Sequence, residues 1–115
     1  MPPQVCYNEA RLHRTYGYNS QIDPLDQVQS IKRALVSKLP VVIGIMIYGS
    51  FMTDDVGKTG IVPHPNLATE RFIGGHALCC IGYDDNKQSF IVLNSWGSIW
   101  GDKGVCYIPY SYMVI

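Results

Sequence analysis

The sequence predicts an α+β fold in which one helix is followed by a small antiparallel sheet or half-barrel. Three features carry this prediction: an apolar stripe with helical spacing, a β-branched run directly after it, and three short apolar segments separated by turn residues. The chain of 115 residues is long enough for one domain with a modest core. We divide it into a lead-in segment, 1–22, and a domain, 23–115.

The lead-in segment has no regular apolar period, although a short helix near residues 8–13 is compatible with it. The domain begins with a predicted helix at Asp23-Pro24, because aspartate caps free backbone N–H groups and proline suits the first helical position. Pro40 limits this helix to about Lys38. Apolar residues recur along it every three or four positions and form one stripe: Leu25, Val28, Ile31 and Leu35.

The next element is a nearly continuous apolar run at residues 40–48, which is rich in valine and isoleucine and predicts a buried strand. Residues 49–73 show no clear period, and a loop of this length in a compact domain usually has a function. Turn residues at 84–87 and glycines at 97, 101 and 104 then separate three further predicted strands. These strands are Gly75–Tyr83, Ser89–Leu93 and Val105–Ile108.

The composition narrows the classes of partner. Hydrophobic residues make up 47% of the chain and charged residues only 16%, against roughly 25% charged in ordinary soluble domains. The chain therefore has either a large core or an apolar face that a partner covers. Nine basic residues balance nine acidic ones without forming a basic stripe, which argues against nucleic acid and anionic membrane surfaces as partners. The longest apolar stretch, residues 39–48, is too short to span a bilayer.

His76 and Asn94 lie on two predicted strands that a polar turn joins. A hairpin turning about residue 85 places them opposite each other on one face, with Cβ atoms roughly 4.5–5.5 Å apart. The asparagine oxygen then accepts the Nδ1–H of His76, which fixes the tautomer and leaves Nε2 to take a proton. The indole of Trp96 can lie over this bond and exclude water. The pattern is that of a base with its orienting amide, although a buried histidine is more often a core polar group.

Five sequence segments together resemble the C-terminal half of papain-like cysteine peptidases, over roughly residues 23–113. They are PVVIGI, GGHAL, the apolar run ending in GYDD, NSWGxxWGxxG and GVCYIPYSYM. The resemblance implies that His76 is the general base and acid, that Asn94 orients it, and that Trp96 shields the pair. It also implies that 23–115 is the sheet lobe of a papain-like fold. Four residues near the substrate groove follow from the same resemblance: Gly44, Gly74, Gly75 and Ala77.

The family's nucleophilic cysteine, which lies in an N-terminal helix after a glutamine, has no match in this chain. Cys6 lacks the following apolar helix, and Cys80 is separated from His76 by roughly 13 Å of strand. Cys79 points to the other face, and Cys106 is expected in the core. We therefore expect a half-peptidase that is inactive alone, whose partners are a peptide or protein substrate and a missing N-terminal lobe carrying the thiol. We expect no metal and no cofactor.

Three alternatives remain at this point. The chain can be a non-catalytic peptidase remnant that binds peptides or proteins. A metal site formed from His76, Cys79, Cys80 or His64 is disfavoured, because adjacent strand residues point to opposite faces. Transglutaminase-like and other cysteine hydrolases share the order of cysteine before histidine, but the NSWG segment favours the papain-like family. The four cysteines allow three pairings, of which the sequence selects none, and free cysteines buried as small apolar residues are the default expectation.

Overall fold

The computed structural model describes residues 1–14 and 26–115. It confirms the α+β prediction, with helices and a four-stranded antiparallel sheet in the order β1-β2-β3-β4. The helices are α1 (Gln4–Ala10), α2 (Gln27–Val36) and α3 (Asp54–Thr59), and 3-10 turns occupy Arg11–His13, Gly49–Met52 and Tyr110–Val114. The strands are β1 (Val41–Tyr48), β2 (Phe72–Asp84), β3 (Ser89–Leu93) and β4 (Val105–Pro109).

Helix α2 packs its apolar stripe on one face of the sheet, with Ile31 fully buried and Val28 and Leu35 against the same core. The predicted start at Asp23-Pro24 and the stripe residue Leu25 lie outside the described residues. The helix ends at Val36, two residues earlier than predicted, because Lys38 adopts a φ of 61° that a right-handed helix cannot continue. None of the described helices is both long and apolar enough to cross a membrane.

Strand β1 is buried on one face only, so the prediction of a fully buried strand is wrong. Ile43, Ile45 and Ile47 point into the core, whereas the residues between them are exposed. The cause is the one-sided packing of the sheet. The sheet's outer face carries the register-paired residues Val42, Gly44, Met46, Gly75, Ala77, Cys79 and Leu93. Its apolar character accounts for the low charged fraction of the chain.

The connection between β1 and β2 contains a helix that the sequence pattern did not predict, α3, because six residues are too few to show a period. The side chain of Thr53 accepts a hydrogen bond from the Val56 N–H at its start. Gly60 ends it with a φ of 74°. The threonine cap and the glycine seven residues later are the signals that could have found it.

A polar clamp ties α2 to the β2–β3 turn. Lys32 Nζ lies 2.7 Å from Asp85 Oδ1, and the Tyr110 hydroxyl donates to the same oxygen at 2.7 Å. The ammonium group also lies 4.3 Å from the centroid of the Tyr110 ring. The hydrogen bond from Lys32 and then that from Tyr110 lower the pKa of the Asp85 carboxyl.

We expect Asp85→Asn to lower the melting temperature at pH 7, because the clamp then loses its charge. Since the folded pKa lies below the unfolded one, the stabilisation is complete above the unfolded value and is lost as pH falls through the folded value. The difference between wild type and Asp85→Asn should therefore begin to narrow below about pH 4 and close only below the lowered folded pKa. Asp55→Asn is the control, because Asp55 is exposed and forms no ion pair within the described ranges. A pH-independent difference for Asp85→Asn would contradict the assignment.

Candidate active site

His76 lies on the part of β2 that extends beyond β3. Pairing of β2 with β3 begins at Cys79, which faces Leu93, so the preceding residues of β2 pair with β1 alone. His76 shares the core-side face of β2 with Leu78 but is only half-buried, because β3 does not flank it. Asn94 follows the last residue of β3 and is 7% exposed. The end of β3 therefore brings a buried amide beside an accessible imidazole.

The imidazole and the amide are hydrogen-bonded, with His76 Nε2 2.9 Å from Asn94 Oδ1. The backbone N–H of Ser95 donates to the same Oδ1 at 2.8 Å. A backbone N–H can only donate, so the atom that faces both groups is the amide oxygen. The ring nitrogen opposite that oxygen must then carry a proton. This fixes His76 as the Nε2–H tautomer when it is neutral, with Nδ1 as the nitrogen that accepts a proton.

The predicted contact is thus present, but the predicted nitrogen is wrong: Nε2, not Nδ1, bonds Asn94. The reason is the strand register. Because Cys79 faces Leu93, Asn94 continues opposite Leu78, and His76 is its diagonal neighbour on the same face. Diagonal neighbours are roughly 7–8 Å apart, so the far nitrogen of the ring makes the bond. A register error of two residues kept the correct face, whereas an error of one would have reversed it.

The indole of Trp96 stacks on the imidazole of His76, with ring centroids 5.1 Å apart and an interplanar angle of 26°. Trp96 is 39% exposed, so its ring covers the imidazole while part of it faces solvent. Two further aromatic rings contact it, those of Phe51 and Trp100. Sequence reasoning missed Phe51, because a single phenylalanine in a loop carries no spacing signal.

A pocket of about 600 Å³ opens beside His76. Three of the four predicted groove residues line it, namely Gly44, Gly75 and Ala77, whereas Gly74 does not. A Cβ atom added at Gly44 or Gly75 would meet nothing within 4 Å, so the absence of side chains there keeps the pocket open.

The far wall of the pocket comes from the end of the chain, with Tyr112, Met113 and Ile115. The Tyr112 hydroxyl donates to the backbone oxygen of Met46 at 2.7 Å, which holds this segment against the free edge of β1. Burial raises the pKa of Tyr112 to about 12, so the hydroxyl keeps its proton at neutral pH. Nothing in the local sequence signals this wall, because it depends on a contact across 66 residues.

All four cysteines are free, as predicted. Cys80 and Cys106 are fully buried, and this burial raises their pKa values to about 11 and 12. Such thiols stay protonated at neutral pH and are inert as nucleophiles. Cys79 lies on the outer face and Cys6 on α1. In the described part of the chain, no three His, Cys, Asp or Glu side chains are placed to hold a metal ion.

The chain is similar to known cysteine proteases over most of its length. The family model for papain family cysteine proteases matches residues 4–113. An uncharacterized peptidase C1-like protein of Acanthamoeba polyphaga mimivirus is 44% identical over 119 residues, which cover 97% of this chain and 37% of that protein. Cathepsin B-like cysteine proteinase 3 of Ostertagia ostertagi is 35% identical over 81 residues, which cover 69% of this chain and 43% of that protein.

A solved structure has a similar fold. The crystal structure of xylellain, a cysteine protease from Xylella fastidiosa, matches with a TM-score of 0.78 and 30% identity. The match covers 99% of this chain and 41% of the xylellain chain. This chain therefore spans about two fifths of the length of the proteins it resembles.

Proposed function

The chain belongs to the papain family of cysteine proteases, and from that premise we propose that it supplies the imidazole half of a peptidase active site. In this proposal His76 is the general base and acid, Asn94 orients it, and Trp96 shields their hydrogen bond. The observation that carries the proposal is the Nε2–Oδ1 bond beneath the indole. Nδ1 is the free nitrogen there, because the described residues offer it no hydrogen bond.

The nucleophile in this proposal belongs to an N-terminal lobe outside the chain. Nδ1 takes the proton of that thiol, and the resulting thiolate attacks the peptide carbonyl carbon. The imidazolium returns its proton to the leaving amine as the C–N bond breaks, which leaves a thioester. Water then attacks the thioester with His76 as base, releases the acid and restores the thiol. Asn94 holds the ring so that Nδ1, rather than Nε2, faces the thiol throughout.

The thiol of the missing lobe must approach His76 from the side on which its imidazole projects. His76 shares the core-side face of β2 with Leu78, so we place this lobe at the end of β2 that β3 does not flank.

The opposite, outer face is also apolar: Val42 is 76% exposed and Leu93 is 45% exposed, and Cys79 lies between them in the register. Burying such residues against another protein surface would favour association by roughly 25 cal/mol per Å² of apolar surface. Gly44 and Ala77 belong to this outer face and line the pocket together with His76, so a lobe docked at the exposed end of β2 would leave a cleft there. A peptide substrate would lie in that cleft.

The test joins this chain, in one polypeptide, to an N-terminal lobe of a papain family cysteine protease that carries the nucleophilic cysteine. We expect the fusion to hydrolyse peptide amides and to lose activity after alkylation with iodoacetamide, while the 115-residue chain alone is inactive. A folded fusion without hydrolysis would contradict the proposal. Hydrolysis by the isolated chain would contradict the assignment of the nucleophile to another lobe.

A non-catalytic binding module is the second candidate, and one observation favours it. Cys80 and Cys106 are too deeply buried to react, and Cys79 lies on the face opposite to His76. In that case the isolated chain should bind unstructured peptides at the pocket without cleaving them. Titration calorimetry with Gly44→Leu as the pocket-filling variant decides this. Peptide binding that Gly44→Leu abolishes, together with an inactive fusion, would favour the module.

A further inference from the structure

We propose that Phe51, on the 3-10 turn after β1, is a positioning residue that holds Trp96 over the His76–Asn94 hydrogen bond. The inference deepens the proposed function, because it takes His76 as the base. The geometry that supports it lies within this chain. Phe51 belongs to the segment 49–73, for which the sequence indicated a function but no structure.

Phe51 lies at the centre of an aromatic cluster beneath the site. It is 0% exposed, and its ring meets that of Trp96 edge to face, with centroids 5.9 Å apart and an angle of 88°. On its other side it stacks with Trp100 at 5.9 Å and 20°. Trp100 also meets Trp96 at 5.1 Å and 82°. The indole of Trp96 thus has two perpendicular neighbours below it and the imidazole on its face.

The loop that carries Trp96 is tied to α3 by the backbone hydrogen bond from Gly101 to Gly57, but residues 95–99 form no backbone–backbone hydrogen bond that could orient the indole. Residues 94–104 contain no helix or strand, and three of their glycines have positive φ values. Trp100 belongs to the same loop, so a contact between the two tryptophans does not anchor the loop to the sheet. Phe51 comes from a different segment, the 3-10 turn that directly follows β1. Its ring therefore links the indole of Trp96 directly to the segment that follows β1, the strand that pairs with β2 at His76.

The turn that carries Phe51 is itself anchored. Glu70 Oε1 accepts the backbone N–H of Ser50 at 2.7 Å, and Oε2 accepts that of Asn66 at 2.6 Å. Hydrogen bonding from Ser50 and from the Asn66 backbone lowers the pKa of the Glu70 carboxyl, so the anchor is ionised at neutral pH. The residue next to Phe51 is thus held by a charged acceptor, which leaves the phenylalanine ring little freedom to shift.

A fixed indole has a specific effect on the imidazole. It keeps water from the Nε2–H that Asn94 accepts, and the bond is stronger where water is excluded. Loss of the Phe51 ring leaves a cavity beside Trp96, into which the indole can rotate. The Nε2–H would then exchange with solvent more readily, and the ring-current shift of the His76 protons would disappear.

The test compares Phe51→Leu with Phe90→Leu in the 115-residue chain. Phe90 is also 0% exposed, but it packs on Tyr110 at the other end of β3, so its truncation damages the core without touching the site. We expect Phe51→Leu to raise the exchange rate of His76 Nε2–H, measured by ¹⁵N NMR, about tenfold or more. It should also remove the upfield shift of the His76 ring protons. Phe90→Leu should leave both signals as in wild type.

An unchanged exchange rate in folded Phe51→Leu, or an equal increase in both variants, would overturn the proposal. If Phe51→Leu does not fold, Phe51→Met fills the space without a planar ring and is judged by the same signals. These readouts need neither a thiol nor a peptide, so they are independent of whether the fusion hydrolyses peptides. In an active fusion, Phe51→Leu should lower kcat while KM changes little, because Phe51 does not line the pocket.

Discussion

Replacing His76 by alanine should lower kcat/KM for peptide hydrolysis by about 10²–10⁴-fold in the two-lobed fusion, which is the usual contribution of a positioned general acid–base. The physical reason is that no other described group can take the thiol proton next to the pocket and return it to the leaving amine. Steady-state hydrolysis of a peptide amide measures the loss. A folded His76→Ala fusion that keeps wild-type activity would eliminate the proposed mechanism.

His64→Ala is the matched control for this loss. His64 is an exposed imidazole whose Nδ1 lies 3.1 Å from Ser111 Oγ. Its ring meets the edge of Tyr112 in the pocket wall at 6.4 Å, but it forms no hydrogen bond or ring contact with His76, Asn94 or Trp96. Its replacement should change kcat/KM by no more than about twofold, since surface substitutions rarely change the free energy of unfolding by more than about 0.5 kcal/mol. A large loss with His64→Ala would mean that the chain tolerates histidine replacement poorly for structural reasons.

Gly60→Ala should lower the free energy of unfolding by about 3 kcal/mol. Gly60 has a φ of 74°, which strains any residue with a Cβ atom. That Cβ atom would also lie 2.5 Å from the backbone oxygen of Val105 and 3.0 Å from the Asp102 nitrogen. The Asp102 N–H donates a hydrogen bond to this Val105 oxygen at 2.8 Å, so a backbone shift that relieves the clash with the added Cβ atom breaks that hydrogen bond.

Two other glycines separate the causes of this effect. Gly97 has a φ of 89°, but an added Cβ atom there meets nothing within 4 Å. Gly97→Ala should therefore lower the free energy of unfolding only by the backbone strain, about 1–2 kcal/mol. Gly44 has neither a positive φ nor a close neighbour, so the free energy of unfolding of Gly44→Ala should stay within about 0.5 kcal/mol of that of wild type. Urea unfolding measures all three variants. Equal costs for Gly60→Ala and Gly97→Ala would contradict the close approach of the backbones.

The Gly60 contact also matters for the site. The end of α3 is joined to β4 by the bond from the Tyr107 N–H to the Gly60 oxygen, and to the loop that carries Trp96 by the bond from the Gly101 N–H to the Gly57 oxygen. Both bonds are 2.7 Å long. The connection between β1 and β2 is thus a support for the loop that covers His76.

Local patterns in the sequence were sufficient for the helix α2, for β3 and for the approximate positions of the other strands. Each depends on interactions between residues close in the chain: the spacing of apolar side chains, the turn residues and the proline that ends the helix region. The same patterns placed His76 and Asn94 on neighbouring strands with matching faces. The family resemblance supplied their expected roles, which no local pattern contains.

The features that sequence reasoning missed all depend on distant contacts. The register differed by two residues, so the nitrogen that bonds Asn94 was misassigned. The open outer face of β1 depends on what covers the sheet, and a continuous apolar run reads the same whether one face or both are buried. The short helix α3 lies below the length at which a period becomes visible.

By itself the sequence determined which segments form the helix and the strands, and which imidazole and amide come together, because the alternation and spacing of apolar residues encode these features locally. Only the tertiary structure decided which ring nitrogen remains free, which aromatic ring supports Trp96, and which part of the chain closes the pocket. Those properties depend on strand register and on packing between residues far apart in the chain. Such contacts leave no periodic signal in a single sequence.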